Sequence, residues 1–141
     1  PWRFKILTGK SKQEAGLFFK DVYLKNTEKP KQIKAKKIKL KFEQSSHVIA
    51  VCMQRDPKAS LPEWEEIAAT SMAVQNMWLA SRSLNIGMYW SSPSFKDHIG
   101  DFLTLQEGEK CLGFLYLGQF DEELQSLERK SSIEEKTDWY Q

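Results

Sequence analysis

Several residue types are scarce or badly spaced in this chain, and each shortage closes off a class of function. Of its 141 residues only two are cysteine, Cys52 and Cys111, and each sits in or beside an apolar run. That reads as two buried thiols rather than a disulfide framework, and it fits a reducing compartment. Only two histidines occur, His47 and His98, far apart. No Cys/His group has metal-ligand spacing, so no metal site is expected. No run reaches the ~18 apolar residues that a membrane span needs, and no signal peptide is visible. The chain starts on Pro1 without a Met, so the native N-terminus is expected to lie further upstream.

Missing glycine patterns exclude more. Gly9-Lys10-Ser11 resembles the end of a phosphate-binding loop, but the required earlier Gly is replaced by Phe4. It reads instead as a strand-to-helix turn. No Gly-x-Gly-x-x-Gly fingerprint supports a Rossmann dinucleotide site. No Gly-x-Ser-x-Gly elbow anchors serine hydrolase chemistry. Glu63, Glu65 and Glu66 could supply a carboxylate, but at a helix start they are better explained by capping and the helix dipole. No catalytic acid, base or nucleophile is therefore assigned.

What remains is an ordinary globular composition, 40% hydrophobic and 28% charged, and a length that suits one domain, residues 1–141. Trp2–Leu7 reads as a strand. Ala15, Phe18, Phe19, Val22 and Tyr23 recur at helical spacing over 11–25. Pro30 separates this helix from a lysine-rich one over about 31–44. Residues 47–53, HVIAVCM, read as a strand covered on both faces. Ser60 is expected to cap a helix over about 62–84, with Pro62 in its first turn and Glu63 at the capping-box position. Ala68, Ala69, Ser71, Ala73, Ala80 and Ser81 keep that helix's surface small, so another helix can approach it. Met72, Met77, Trp78 and Leu79 on it read as core or interface residues. Residues 86–90 and 112–119 read as strands, with a short helix from Pro93 through Phe102 between them. An acidic, polar tail follows from Asp121, with Ile133 and Trp139 as late anchors. Alternating strands and helices argue for α/β or α+β layering.

The net charge of +2 hides a strong asymmetry. Residues 1–41 carry 13 Lys/Arg and 3 Asp/Glu, a balance of +10; the remainder carries 8 and 16, a balance of −8. Ile33, Ala35, Ile38, Leu40 and Phe42 are interleaved with the lysines of 25–41, so this segment reads as a solvated helical surface with one apolar side. Phe42 is its only aromatic residue, which leaves no base-stacking platform.

Four pieces in order carry a resemblance: Pro1-Trp2-Arg3-Phe4; the small-residue helix running into Leu84-Asn85-Ile86-Gly87; Trp90-Ser91-Ser92; and Leu112-Gly113-Phe114-Leu115-Tyr116-Leu117-Gly118. Together they resemble the nitroreductase family of FMN-dependent oxidoreductases, most closely its short members, over nearly the whole chain. The resemblance implies an α+β fold, a three-layer α-β-α sandwich around a mixed central sheet, built as an intertwined homodimer. It implies FMN and NAD(P)H as cofactors and a small-molecule electron acceptor such as a nitroaromatic or quinone. It implies a cytoplasmic protein with no nucleic-acid and no membrane partner. The alternative is a catalytically impaired flavin-binding or interaction protein of the same fold.

The resemblance also assigns residues. Trp90, Ser91 and Ser92 match the segment that lies beside the flavin ring, with backbone N–H groups toward the ring's reactive edge. Fixed backbone dipoles there stabilise the charge that arrives on reduction. Since the flavin supplies the redox chemistry, no acid–base constellation is needed. Arg129 and Lys130 match the region of an Arg that helps hold the FMN phosphate, although Ser132 stands where the family has Pro. At the matched position Lys130 keeps the charge but loses the bidentate fork of Arg. The family's segment before Pro-Trp, with its Arg-Arg-Ser-type and Ala-Pro-x-His-like motifs, is not part of this sequence.

Overall fold

Residues 48–53 are all buried, and the fold is arranged around them. They form most of strand β2 (His47–Gln54), which pairs with β1 (Trp2–Leu7) on one side and β4 (Glu109–Gln119) on the other. Strand β3 (Ile86–Ser91) adds outside β4. The four-stranded sheet has the order β1-β2-β4-β3. The computed structural model describes residues 1–121 and 128–140; part of the acidic tail lies outside the described residues.

The fold is α+β with three layers. Helices α1 (Gly9–Asn26) and α2 (Gln32–Gln44) cover one face of the sheet together with a 3-10 helix, Ser94–Asp101. Helix α3 (Glu63–Arg82) covers the other. Strand alternation sorts the side chains: Val48, Ala50 and Cys52 face α1 and α2, while Ile49 and Val51 face α3.

The expected mixed sheet is antiparallel at all three ladders among the described residues. Topology gives the reason. The α1–α2 hairpin crosses the sheet twice, so β2 returns antiparallel to β1. The β2–α3–β3 crossover does make β2 and β3 parallel, but β4 inserts between them.

The two cores differ in weight. On the α1/α2 side Phe19, Phe42 and Phe114 are fully buried, with ring centroids 5.0–5.5 Å apart, and Phe95 and Tyr116 extend the cluster. Such a packed aromatic group adds edge-to-face attraction to its area burial. Gly16 lets α1 and α2 close on each other; a Cβ there would lie 2.9 Å from Phe42 Cβ. Buried Lys12 donates to Glu43 O at 3.2 Å and to Ser45 O, so its charge neutralises the C-terminal carbonyls of α2. On the other side α3 buries only Glu66, Thr70, Val74 and Ser81 of its twenty residues.

Helix α3 also starts differently from the sequence expectation. Pro62, not Ser60, occupies the N-cap, and no side chain caps it. The Ser60 N–H is already used: it donates to Asp56 Oδ2 at 3.0 Å, while Lys58 N donates to Oδ1 at 3.1 Å. This turn brings Ala59 to φ 47°. Asp56 thus takes the Ser60 N–H that the reciprocal Glu63 half of a capping box would have used. These hydrogen bonds, with Ser60 first among them, hold its carboxyl below the usual range.

Strand β4 begins three residues before the expected start because Glu109, polar but buried, is neutralised there. Its carboxylate pairs with Lys5 Nζ at 2.9 Å and accepts from Gln106 N at 2.8 Å. Cys52 and Cys111 face each other across β2 and β4 as buried free thiols. A hydrogen bond to Cys111 and burial both push the Cys52 thiol up, so it stays protonated and unreactive.

Burial works to raise the Glu109 carboxyl, but the Gln106 amide and the Lys5 ammonium hold it below the usual 4.5 overall. A depressed folded-state value means stability that is complete above 4.5 and lost as pH falls through the folded value. Lys5→Met keeps the side-chain stem and strands the buried carboxylate. Urea unfolding should show a loss of about 2–4 kcal/mol at neutral pH and a shallower fall in stability between about pH 5 and 3. An unchanged acid slope would refute this role for the pair.

Candidate functional site

Strand β3 ends at Ser91, which the register sets level with Phe114 of β4 and Ala50 of β2. Alternation turns Trp90 toward α3, where it packs with Met77, Met88, Leu112 and Leu117 around Ile49, Val51, Val74 and Leu115. Trp90 and Ser91 are half-buried; Ser92, one residue past the ladder, is exposed. Among the described residues the Ser92 N–H has no backbone partner.

A bulge in the neighbouring strand shapes this end. The β2–β4 register slips between Val51 and Cys52: Val51 opposes Gly113 while Cys52 opposes Cys111. Gly113 has φ 152°, a backbone that L residues rarely adopt. A Cβ there would lie 2.6 Å from both Ser91 O and Trp90 Nε1. The absent side chain therefore lets β3 and the indole lie directly against β4. The Trp90 indole N–H is buried and has no hydrogen-bond partner. A buried unpaired donor costs about 1–3 kcal/mol, and Gly113 and Ser91 close this one off from solvent.

At the β1–β2 edge of the sheet, away from β3, a cavity of about 420 Å³ opens between Pro1, Gln54, the loop after β2 with Leu61, and the first turns of α3 at Glu65 and Ala69. Sequence reasoning missed one of its residues, Arg55, and gave another, Glu66, only a helix-end role. Arg55 pairs with the buried Glu66 carboxylate and donates to Leu61 O at 2.8 Å, while Glu66 Oε1 accepts Asp56 N at 2.7 Å. Glu66 thus ties the loop to the helix instead of serving only the helix dipole. Glu63 pairs with Lys110 Nζ, whose hydrogen bond and charge hold its carboxyl below the usual range. No local pattern signals these pairs, because their partners come from other segments.

Arg129 and Lys130 line a separate cavity of about 340 Å³ with Ser131, Ser132, Ile133 and Lys136. Three cations around two hydroxyls suit a phosphate. Ser132 and Glu135 cap one another across the following turn, each backbone N–H donating to the other's side chain at 3.4 Å. No hydrogen bond or ion pair among the described residues joins this segment to Trp90-Ser91-Ser92. The sequence pairs the two groups; the structure describes them as two places.

The residues present fit a flavin mononucleotide in kind. The flavin ring offers acceptors to the free backbone N–H of Ser92, and the phosphate offers charge to a basic cavity. Among the described residues no group of three or more His, Cys, Asp or Glu could hold a metal ion.

Comparison with known proteins bears on the family and the fold. The family model described as "Nitroreductase family" matches residues 1–119. Of the solved structures, a nitroreductase-like family protein from Bacillus cereus is 25% identical, with a TM-score of 0.77 over 99% of this chain and 73% of that one. A nitroreductase with bound FMN from Bacteroides fragilis is 19% identical, with a TM-score of 0.60 over 93% of this chain and 72% of that one. The FMN-dependent nitroreductase NfnB from Mycobacterium smegmatis, in complex with NADPH, is 12% identical, with a TM-score of 0.68 over 100% and 79%. At these lower identities the likeness is one of fold. No curated protein matches the chain.

Gly113→Ala tests the bulge. The added methyl must displace Ser91 and the Trp90 indole or strain β4, so unfolding free energy should drop by about 1–3 kcal/mol. FMN affinity, read by fluorescence titration, should fall at least about tenfold, because a small misplacement of a binding group is costly. Unchanged FMN affinity would separate Trp90 from the site.

Proposed function

The chain belongs to the nitroreductase family, and from that premise we propose an FMN-dependent oxidoreductase that takes electrons from NAD(P)H and gives them to a nitroaromatic or quinone-like acceptor. The observation that carries this reading is the family match over residues 1–119, with a backbone N–H left free at Ser92 where β3 ends. Bound FMN would supply the two-electron chemistry. The chain's own residues bind and polarise. Trp90 anchors the end of β3 against Gly113, and Ser92 offers a backbone N–H beyond the ladder that need not reorganise when negative charge builds beside it. Arg129, Lys130 and Lys136 would hold the phosphate. Because these residues only position and stabilise, no acid, base or nucleophile is assigned among them.

A homodimer completes the reading. The outward line of α3 carries Trp64, Met72 and Leu79, each 62–66% exposed. Ile133, Trp139 and Tyr140 are 61–94% exposed. A second copy laid along α3 would cover such a surface, with an interface of ~2,000 Å² or more, as obligate dimers have. Two buried free thiols suit a reducing, cytoplasmic setting. Among the described residues no helix is long and apolar enough to cross a membrane.

A second reading draws on the separation of the two site segments. If the Lys130 cavity does not reach the flavin, the protein holds FMN weakly and serves as a binding or interaction protein of this fold.

The test compares Ser92→Ala with Ser92→Pro. Both remove the hydroxyl, but only proline removes the N–H. Ser91 is already extended, so a following proline is tolerated. Reduction of a nitroaromatic or quinone by NAD(P)H, normalised to bound flavin, should be nearly unchanged in Ser92→Ala. In Ser92→Pro it should fall ~10²-fold or more. Lys130→Ala should weaken FMN retention and leave flavin-normalised turnover intact. Equal loss in the two Ser92 variants would assign the role to the hydroxyl. A flavin-loaded wild type inert to both nicotinamides would favour the second reading.

A further inference from the structure

Helix α2 faces away from the Trp90 site, on the opposite layer of the sheet, and its outer surface has an organisation that core packing does not require. Ala35, Ile38 and Phe42 form its buried side. At 100° per residue the opposite line of the helix runs through Ile33 and Leu40, two turns apart. Ile33 is 74% exposed and Leu40 half-buried. Lysines flank this line on both sides: Lys34, Lys37 and Lys41 on one, Lys36 and Lys39 on the other. Lys29 and Lys31 extend the group at the N-terminal end, so residues 29–41 carry seven lysines and no Asp or Glu.

These charges are largely uncompensated. Among the described residues only Lys39 of the seven has a carboxylate partner, Glu43 at 3.1 Å. Lys34 lies 5.2 Å over the Tyr23 ring and Lys41 lies 5.0 Å over Tyr89. Both contacts steady the long side chains without neutralising them. Seven like charges on thirteen residues repel one another. A surface of opposite charge relieves that repulsion, and one that also has an apolar interior can take up Ile33.

We propose that the outer face of α2 docks on an anionic lipid bilayer, with Ile33 entering the headgroup region and the flanking lysines against the lipid phosphates and carboxylates. Charge complementarity and the apolar line together select this occupant. Clustered lysines alone would suit any polyanion. Duplex nucleic acid gains nothing from the exposed Ile33 and the half-buried Leu40 beside it, and α2 exposes no aromatic ring for stacking on single strands. Peripheral binding to lipid draws on both terms, charge attraction and buried apolar area. In this orientation the Trp90 side of the sheet stays clear of the bilayer.

Vesicle flotation of the whole, flavin-loaded protein tests the proposal. Vesicles of phosphatidylcholine with ~30% phosphatidylserine should carry the protein up, and pure phosphatidylcholine should not. Raising salt to about 0.5 M should release it. Lys36→Glu with Lys37→Glu should weaken vesicle binding roughly twentyfold or more, at about fivefold per lysine lost near the surface. Ile33→Ser should weaken it several-fold at unchanged charge. All these positions are exposed and outside the flavin site, so flavin-normalised turnover should stay at the wild-type level and reports that the variants are folded. Four results would each overturn the proposal: no flotation on anionic vesicles, equal flotation on neutral ones, Ile33→Ser binding like wild type, or retention by duplex DNA or an acidic protein without vesicle binding.

Discussion

A sheet that is apolar on both faces must be covered on both, and here the covers are unequal. The α1/α2 layer seals Phe19, Phe42 and Phe114 to zero exposure. Its cohesion comes from interlocked rings and from the close helix approach at Gly16. The α3 layer buries one aliphatic residue of the helix, Val74, and leaves Trp64, Met72 and Leu79 in solvent. Stability resides in the first layer. The second is left open, and the Trp90 indole, the cavity of about 420 Å³ and the unpartnered apolar line of α3 all occur there.

The bulge at Gly113 links the two sides. Strand β4 changes phase at Leu112, so that Cys111 and Phe114 both face α1/α2 while Leu112 and Leu115 both face α3. A uniform strand could not do this with those spacings, because alternation has period two. The shift places the backbone of Gly113 under the Trp90 indole and leaves no room for a side chain. Burial of the indole N–H is thus fixed by strand geometry on the β4 side, not by loop packing. Polar groups near this end are neutralised in pairs, Lys5 with Glu109 and Arg55 with Glu66, so charge burial at the sheet end does not undo the fold.

Elements whose signal is local were legible in the sequence. The alternation in β1 and the unbroken apolar run of β2 gave their positions, and the helical spacing of Phe18, Phe19, Val22 and Tyr23 gave α1. Long-range pairing was not legible. Glu109 reads as a loop residue until Lys5, over a hundred positions away, is placed beside it. Ser60 reads as a helix cap until Asp56 takes its amide. The antiparallel order follows from β4 inserting between β2 and β3, which no periodicity encodes. At the site, Trp90-Ser91-Ser92 could be named only through a family resemblance; its physical content, an orphaned indole donor over a glycine bulge, needed coordinates. Arg129 and Lys130 are basic neighbours in sequence and structure alike, but their relation to Trp90 is a matter of tertiary placement that sequence spacing does not carry.

The central claim is that the open α3 side holds a flavin. The whole protein, incubated with excess FMN and freed of unbound ligand, should show flavin absorbance corresponding to about one FMN per chain. Denaturation should return all of it to solution as free FMN, since no covalent link is proposed. Protein that stays colourless after loading, at a concentration where it is folded by circular dichroism, would contradict the account.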